Sequence, residues 1–158
     1  MHSYLSGVGG WLAFLIFTLF AGPVIGFGNL YGQMTDAVAQ NPQLHSYTEW
    51  AQYKLATWTV FAASAGLSVS AGYRLWKVHT AESVRFAILA LWLIGPVARV
   101  LYTSVGIWAF GVGVTPEDVG TVAAAGIVAS LWTAYLLRSG RVRNTYGTSA
   151  APALPANR

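Results

Sequence analysis

Four apolar segments constrain this chain more than anything else in it: Trp11 to Tyr31, Leu55 to Trp76, Val84 to Phe110 and Val119 to Leu137. Crossing a hydrocarbon core about 30 Å thick takes roughly 20 helical residues, and each segment is long enough. Lipid offers no partner to backbone N–H and C=O groups, so each segment must satisfy its own, which predicts helices and not strands. The expected fold is an all-α membrane protein, a four-transmembrane-helix bundle forming one domain over residues 1 to 146. Composition agrees: charged residues are 9% of the chain, where a soluble domain carries about 25%. The pI of about 9.6 would suggest nucleic acid in a soluble protein. Here the basic residues sit at the ends of apolar segments, so no nucleic-acid partner is expected.

The first segment reads as a retained span and not a signal peptide. "MHSYLSGVGG" carries no Lys or Arg, and no small-x-small site follows the long apolar run. Ser46-Tyr47-Thr48-Glu49 has capping-box spacing, and Thr80-Ala81-Glu82 offers a cap with an early acid. Thr115-Pro116-Glu117-Asp118 combines a hydroxyl cap, proline at the first helical position and two acids in the first turn. Arg74, Lys77 and Arg85 link spans two and three, and Arg138, Arg141 and Arg143 follow span four, while the other loops offer only Lys54 beside four acids. Both termini are therefore expected in the cytoplasm. Trp50, Tyr53 and Trp58, with Tyr73 and Trp76 opposite, fit interfacial belts. Residues 147 to 158 lack any pattern and are expected to be disordered.

Spans one and three superimpose with a shift of 73 residues, which lays Gly22-Pro23-Val24 on Gly95-Pro96-Val97. A weaker match at a shift of 62 lays Tyr73 on Tyr135. Two repeated hairpins would put kinks at Gly22, Pro23, Gly95 and Pro96 at matching depth, each freeing a carbonyl. Small residues recur every fourth position in span two, as Ala62-Gly66-Ser70 and Ser64-Ser68-Gly72, and in span four as Gly120-Ala124-Val128, a spacing that lets backbones approach closely.

Arg99 stands just after the second of these prolines, at the position of Gly26 in the first span. A charge inside a span costs about 2.5 to 3.5 kcal/mol on insertion scales. The spans hold no Asp or Glu to pair with it. Its neutral candidates are the freed carbonyls, Asn29, Tyr102 and the serines of span two. Two readings stay open. The guanidinium either snorkels and fixes the bundle, or it awaits an external anion such as a lipid phosphate, a carboxylate or an acid on a partner subunit. Asn29 and Tyr102 are its expected companions at an anion or lipid site.

No cysteine is present, which excludes thiol chemistry and disulfides. His2, His45 and His79 lie outside the spans, so neither haem nor zinc ligation is indicated, and no cofactor or metal is expected. "GVGG" lacks a preceding strand and is no phosphate loop. Arg138, Arg141, Arg143 and Tyr146 form a basic, aromatic strip suited to anionic headgroups, which also serves topology.

Gly9-Gly10-Trp11-Leu12 before span one, with Ser139-x-Arg141-Val142-x-x-Thr145-Tyr146 after span four, resembles a family of small bacterial membrane proteins, domain of unknown function 2569. The resemblance implies a multi-pass protein of the bacterial inner membrane with four spans. It implies no reaction and no catalytic residue. With no acid, histidine or cysteine inside the membrane, the chain is expected not to be an enzyme. It is expected to act by binding: as an accessory subunit, as a partner of another membrane protein, or as a homo-oligomer. The alternative is an anion or small-solute transporter or channel, assembled as an oligomer, with Arg99 as the anion site. A third reading, an enzyme of lipid or polyprenyl substrates, would need Asp36, His45 and Glu49 folded over a span mouth.

Overall fold

The computed structural model describes residues 7–147, so the expected disorder of the tail falls, beyond Gly147, outside the described residues. In chain order the helices are α1 (Trp11–Gln40), α2 (Thr48–Lys77), α3 (Ala81–Trp92), α4 (Ala98–Phe110), α5 (Pro116–Arg138) and α6 (Gly140–Tyr146). A 3-10 turn at Pro42–Ser46 joins α1 to α2, and a π turn at Leu93–Val97 joins α3 to α4. Four units are long and apolar enough to cross a membrane: α1, α2, α3 with α4, and α5. The chain is an all-α, multi-pass membrane protein.

The helices outrun the apolar segments. At 1.5 Å per residue, a 30-residue span is about 45 Å long against a core of about 30 Å. Polar stretches such as Gly32 to Gln40 and Thr48 to Lys54 continue the helices into the interface, where water serves the backbone as well as helix does. Thr115 forms the full capping box with Asp118, as its sequence predicts. The other two caps differ from expectation. Ser46 donates to the Gln43 carbonyl in the 3-10 turn, leaving Tyr47 at the N-cap of α2. The Thr80 hydroxyl lies 3.2 Å from that of Ser83 and caps no backbone N–H.

Successive spans run antiparallel, so the start of α1, the end of α2, the start of α3 and the end of α5 share one end, called here the terminal end. Helix α1 packs chiefly on α2, α2 on α3 and α4, and α5 on α3, the π turn and α4. The buried core gathers near the terminal end, where Leu12, Leu15, Ile16 and Leu19 meet Ala71, Leu75, Val84, Ala87, Leu91 and Leu136. Val142 and Tyr146 of α6 close it from below. Toward the opposite, far end the bundle is held by other means. Trp50 stacks on Tyr53 at 5.5 Å and lies 6.5 Å from Phe110, tying the start of α2 to the end of α4. Trp50 is therefore 5% exposed, a core aromatic and not the belt residue its sequence position suggests.

The two prolines behave differently, which corrects the expectation of equal kinks. Helix α1 runs unbroken through Gly22 and Pro23. The carbonyl four residues before Pro23 belongs to Leu19, and the Ser68 hydroxyl donates to it at 2.8 Å. Gly72 deepens the same contact, since a Cβ there would stand 3.1 Å from the Phe20 ring and 3.3 Å from Leu19 Cβ. At Pro96 the helix instead widens. Gly95 leaves helical geometry at φ −87°, ψ −105°, and the Ala98 N–H reaches back five residues to the Leu93 carbonyl. Ala125 of α5 packs beside Gly95, its carbonyl oxygen 3.6 Å from where a Cβ would be.

Candidate ligand cleft

Because α1 meets the others at the terminal end and only α2 above it, a cleft opens between α1 and α4. Its volume is about 590 Å³. Helix α2 forms its back wall with Tyr53, Thr57, Phe61, Ser64 and Ser68; α1 contributes Gly22, Pro23, Gly26, Asn29 and Gln33; α4 contributes Ala98, Arg99 and Tyr102. Leu15, Leu19 and Leu91 floor it at the terminal end. The three residues singled out in the sequence as a candidate anion or lipid site, Arg99, Asn29 and Tyr102, thus line one space. So do Gly22 and Pro23, whereas Gly95 and Pro96 are not part of the lining and Gly95 lies against Ala125 of α5.

Arg99, Asn29 and Thr57 come from three helices at similar depth. Counting back from the far ends of α4, α1 and α2 they lie about 16, 16 and 14 Å in. Arg99 is exposed to the cleft mouth, as is Asn29. Its guanidinium takes part in no hydrogen bond or ion pair among the described residues. Asp118, the acid at the edge of span four, is taken up instead by Thr115 at 2.7 Å and Thr103 at 3.3 Å. Of the serine and carbonyl partners considered for Arg99, Ser68 and the Leu19 carbonyl are committed to each other.

Thr57 was not among the residues singled out. It is 2% exposed, and its Oγ1 has no hydrogen-bond partner among the described residues. Hydroxyls in helices usually bond back to a carbonyl three or four residues earlier, as Thr18, Thr59, Ser104 and Ser130 do here. Thr57 makes no such bond although it is buried, and it lines the cleft. A signal for it exists in the sequence. Tyr53, Thr57, Ser64 and Ser68 recur at spacings of four, seven and four, a hydroxyl stripe on one helix face, and Gly22, Gly26, Asn29 and Gln33, at spacings of four, three and four, mark one face of α1.

The terminal end carries the second feature. Tyr146 is 2% exposed and donates its hydroxyl to the Leu75 carbonyl at the end of α2, so it is no part of a headgroup-facing strip. Burial, reinforced by Tyr135, pushes its hydroxyl up to about 12. Arg141 is half-buried with its guanidinium against Gly9 and Gly10, leaving only Arg138 and Arg143 fully exposed. Gly7 N–H donates to Thr145 Oγ1 at 2.9 Å, and Ser139 caps α6 through the Val142 N–H. Gly10 holds φ +58°, a left-handed turn that brings the chain into α1 and that other residues adopt poorly. Leu12 and Val142 are both fully buried. The two sequence motifs are therefore one structure, a clasp in which Arg141 lies against Gly9 and Gly10, Thr145 holds the chain at Gly7, and Leu12, Val142 and Tyr146 enter the core. Trp11 lies outside it, against Phe14 and Trp132.

The family model described as "Protein of unknown function (DUF2569)" matches residues 5–147, from the segment before the clasp to the end of α6. The chain belongs to this family. No curated protein and no solved structure matches it. In this DUF2569 protein the clasp shuts the terminal end of the bundle, and the cleft is left as the place where buried polar groups meet open space.

Proposed function

We propose that this DUF2569 protein is a non-enzymatic binding protein of the bacterial inner membrane, with its termini in the cytoplasm, and that it binds an anion in the cleft between α1 and α4. The observation that supports this reading is Arg99, a guanidinium inside a span, at an open cleft, with no carboxylate in any of the four apolar segments and no ion pair among the described residues. An ionised group held this way gains most from an acceptor that is itself charged. The basic residues at the ends of α2 and α5 and the start of α3 supply the orientation.

A thermal-shift comparison tests the proposal, since a ligand that binds only the folded state raises the melting temperature. The purified protein in a neutral detergent is titrated with inorganic phosphate, acetate and a short-chain phosphatidic acid. At least one should stabilise the wild type and none should stabilise Arg99→Gln. Equal behaviour of the two proteins, or no shift with any anion, overturns it.

Transport by an oligomer is the second reading, and the packed core speaks against it. Within one protomer, an anion at Arg99 would have to pass Leu12, Leu15, Leu75 and Leu91, which close the terminal end. Anion flux into proteoliposomes that disappears in Arg99→Gln would restore it.

A further inference from the structure

We infer, building on the anion-binding reading, that the cleft takes an anionic amphiphile from the surrounding bilayer, its charged head on Arg99 and Thr57 and its apolar chain lying along α1 toward Leu15 and Leu91. The shape of the cleft is the first argument. Along α1 its lining runs from Gln33 to Leu15 and along α2 from Tyr53 to Ser68, about 27 and 22 Å at helical rise. Half of a hydrocarbon core is about 15 Å, so the cleft is a slot parallel to the lipid chains and longer than one leaflet is deep. It lies between α1 and α4, which have little contact with each other, so its mouth faces sideways along the spans. Along most of its length that mouth opens onto hydrocarbon, where a lipid is already present.

The lining is graded, which is the second argument. Asn29, Gln33, Tyr53, Thr57, Arg99 and Tyr102 occupy the half toward the far end. In the other half the walls are Leu15, Leu19, Pro23, Ala65, Leu91 and Ile94, and of the three hydroxyls there Thr18 and Ser68 are tied to the carbonyls of Leu15 and Leu19, which leaves Ser64 near the boundary between the halves. A head that accepts hydrogen bonds and a tail that accepts none match the two halves. A 45 Å helix centred on a 30 Å core places Arg99 about 9 Å inside the hydrocarbon edge, a depth its long side chain and a slightly sunken headgroup can bridge together.

Thr57 is the third and independent argument. A buried hydroxyl without a partner costs stability, and Thr57 lines the same cleft as Arg99, at a similar depth on the helix between α1 and α4. A phosphate or carboxylate oxygen satisfies both donors at once, which neither an amine nor a neutral alcohol head does as well.

The test separates head from tail. Delipidated protein in a neutral detergent is titrated, by native mass spectrometry, with lysophosphatidic acid, with glycerol 3-phosphate as the same head without a tail, and with monoacylglycerol as the same tail without charge. Lysophosphatidic acid should bind at least tenfold tighter than either of the others. Arg99→Gln should lose tenfold or more of that affinity, and the near-isosteric Thr57→Val, which keeps the packing, several-fold. Glycerol 3-phosphate binding as tightly as lysophosphatidic acid would overturn the amphiphile and leave the anion reading standing. Equal binding of lysophosphatidic acid and monoacylglycerol, unaffected by Arg99→Gln, would overturn both, as would no binding at all.

Discussion

Pro23 takes the helical partner from the Leu19 carbonyl, and Ser68 on the neighbouring helix replaces it at 2.8 Å. Removing the hydroxyl leaves a carbonyl unpaired between two packed helices, at a cost of about 1 to 3 kcal/mol. Ser68→Ala should therefore lower the melting temperature in detergent. Pro23→Ala restores an N–H within the helix, so adding it to Ser68→Ala should recover most of the loss, and a double variant no more stable than Ser68→Ala would show that the contact is incidental. Arg99 predicts the opposite sign. If its charge is kept for a ligand and not for folding, Arg99→Leu should raise stability in detergent while abolishing anion-dependent stabilisation; a large loss of folded protein would mean that the guanidinium holds the bundle together. Arg99 could be read from the sequence because a charge is conspicuous among apolar residues. For Thr57 the hydroxyl stripe marks the face but not the unpaired group, because nothing in its identity says that this threonine, unlike Thr59 two positions on, forgoes its own helix carbonyl.

Helix α2 carries two glycines of similar sequence context and opposite situation. Gly72 is buried against Leu19 and Phe20, whereas Gly66 has nothing near where a Cβ would stand. Gly72→Ala should push α1 off α2 and cost about 1 to 3 kcal/mol. Gly66→Ala should be neutral or add up to about 1 kcal/mol through helix propensity. Unfolding of the two variants side by side checks the assignment of faces, and equal effects would refute it. The number, order and type of the spans were legible because length and hydropathy leave no other structure in lipid. The partnering of their faces was not. Small residues at four-residue spacing mark three stripes in these helices, yet only Ser64-Ser68-Gly72 turns to α1, while Ala62-Gly66-Ser70 and Gly120-Ala124-Val128 stay exposed. The repeat misled in a similar way. Gly-Pro-Val recurs, but its consequence depends on whether a neighbour offers a donor, as Ser68 does, or backbone room, as at Ala125.

At the scale of the molecule, one end is shut and the other splayed, and the shut end depends on α6. Sequence charge made Arg138, Arg141, Arg143 and Tyr146 look like one surface strip, but a seven-residue helix turns only part of itself to solvent. Tyr146 instead enters the core and donates to Leu75 while its ring lies 5.7 Å from His79. Its hydroxyl stays neutral in the fold up to about 12, against an ordinary value of 10.0. Between those values the unfolded chain has released this proton and the folded chain has not, so stability contributed by Tyr146 is complete below pH 10 and falls as pH rises toward 12. The loss should approach roughly 2 to 3 kcal/mol by pH 12. Tyr146→Phe cannot titrate there. It should be less stable than the wild type near neutrality, by about 1 kcal/mol for the missing hydrogen bond. The gap should then close and reverse as the medium becomes alkaline, because only the wild type must keep a proton that water has come to favour. Chemical unfolding of both proteins at pH 8, 10 and 11.5 measures the crossing. Parallel pH profiles would place Tyr146 outside the core, and with it would go the clasp that makes the far end the open end of this protein.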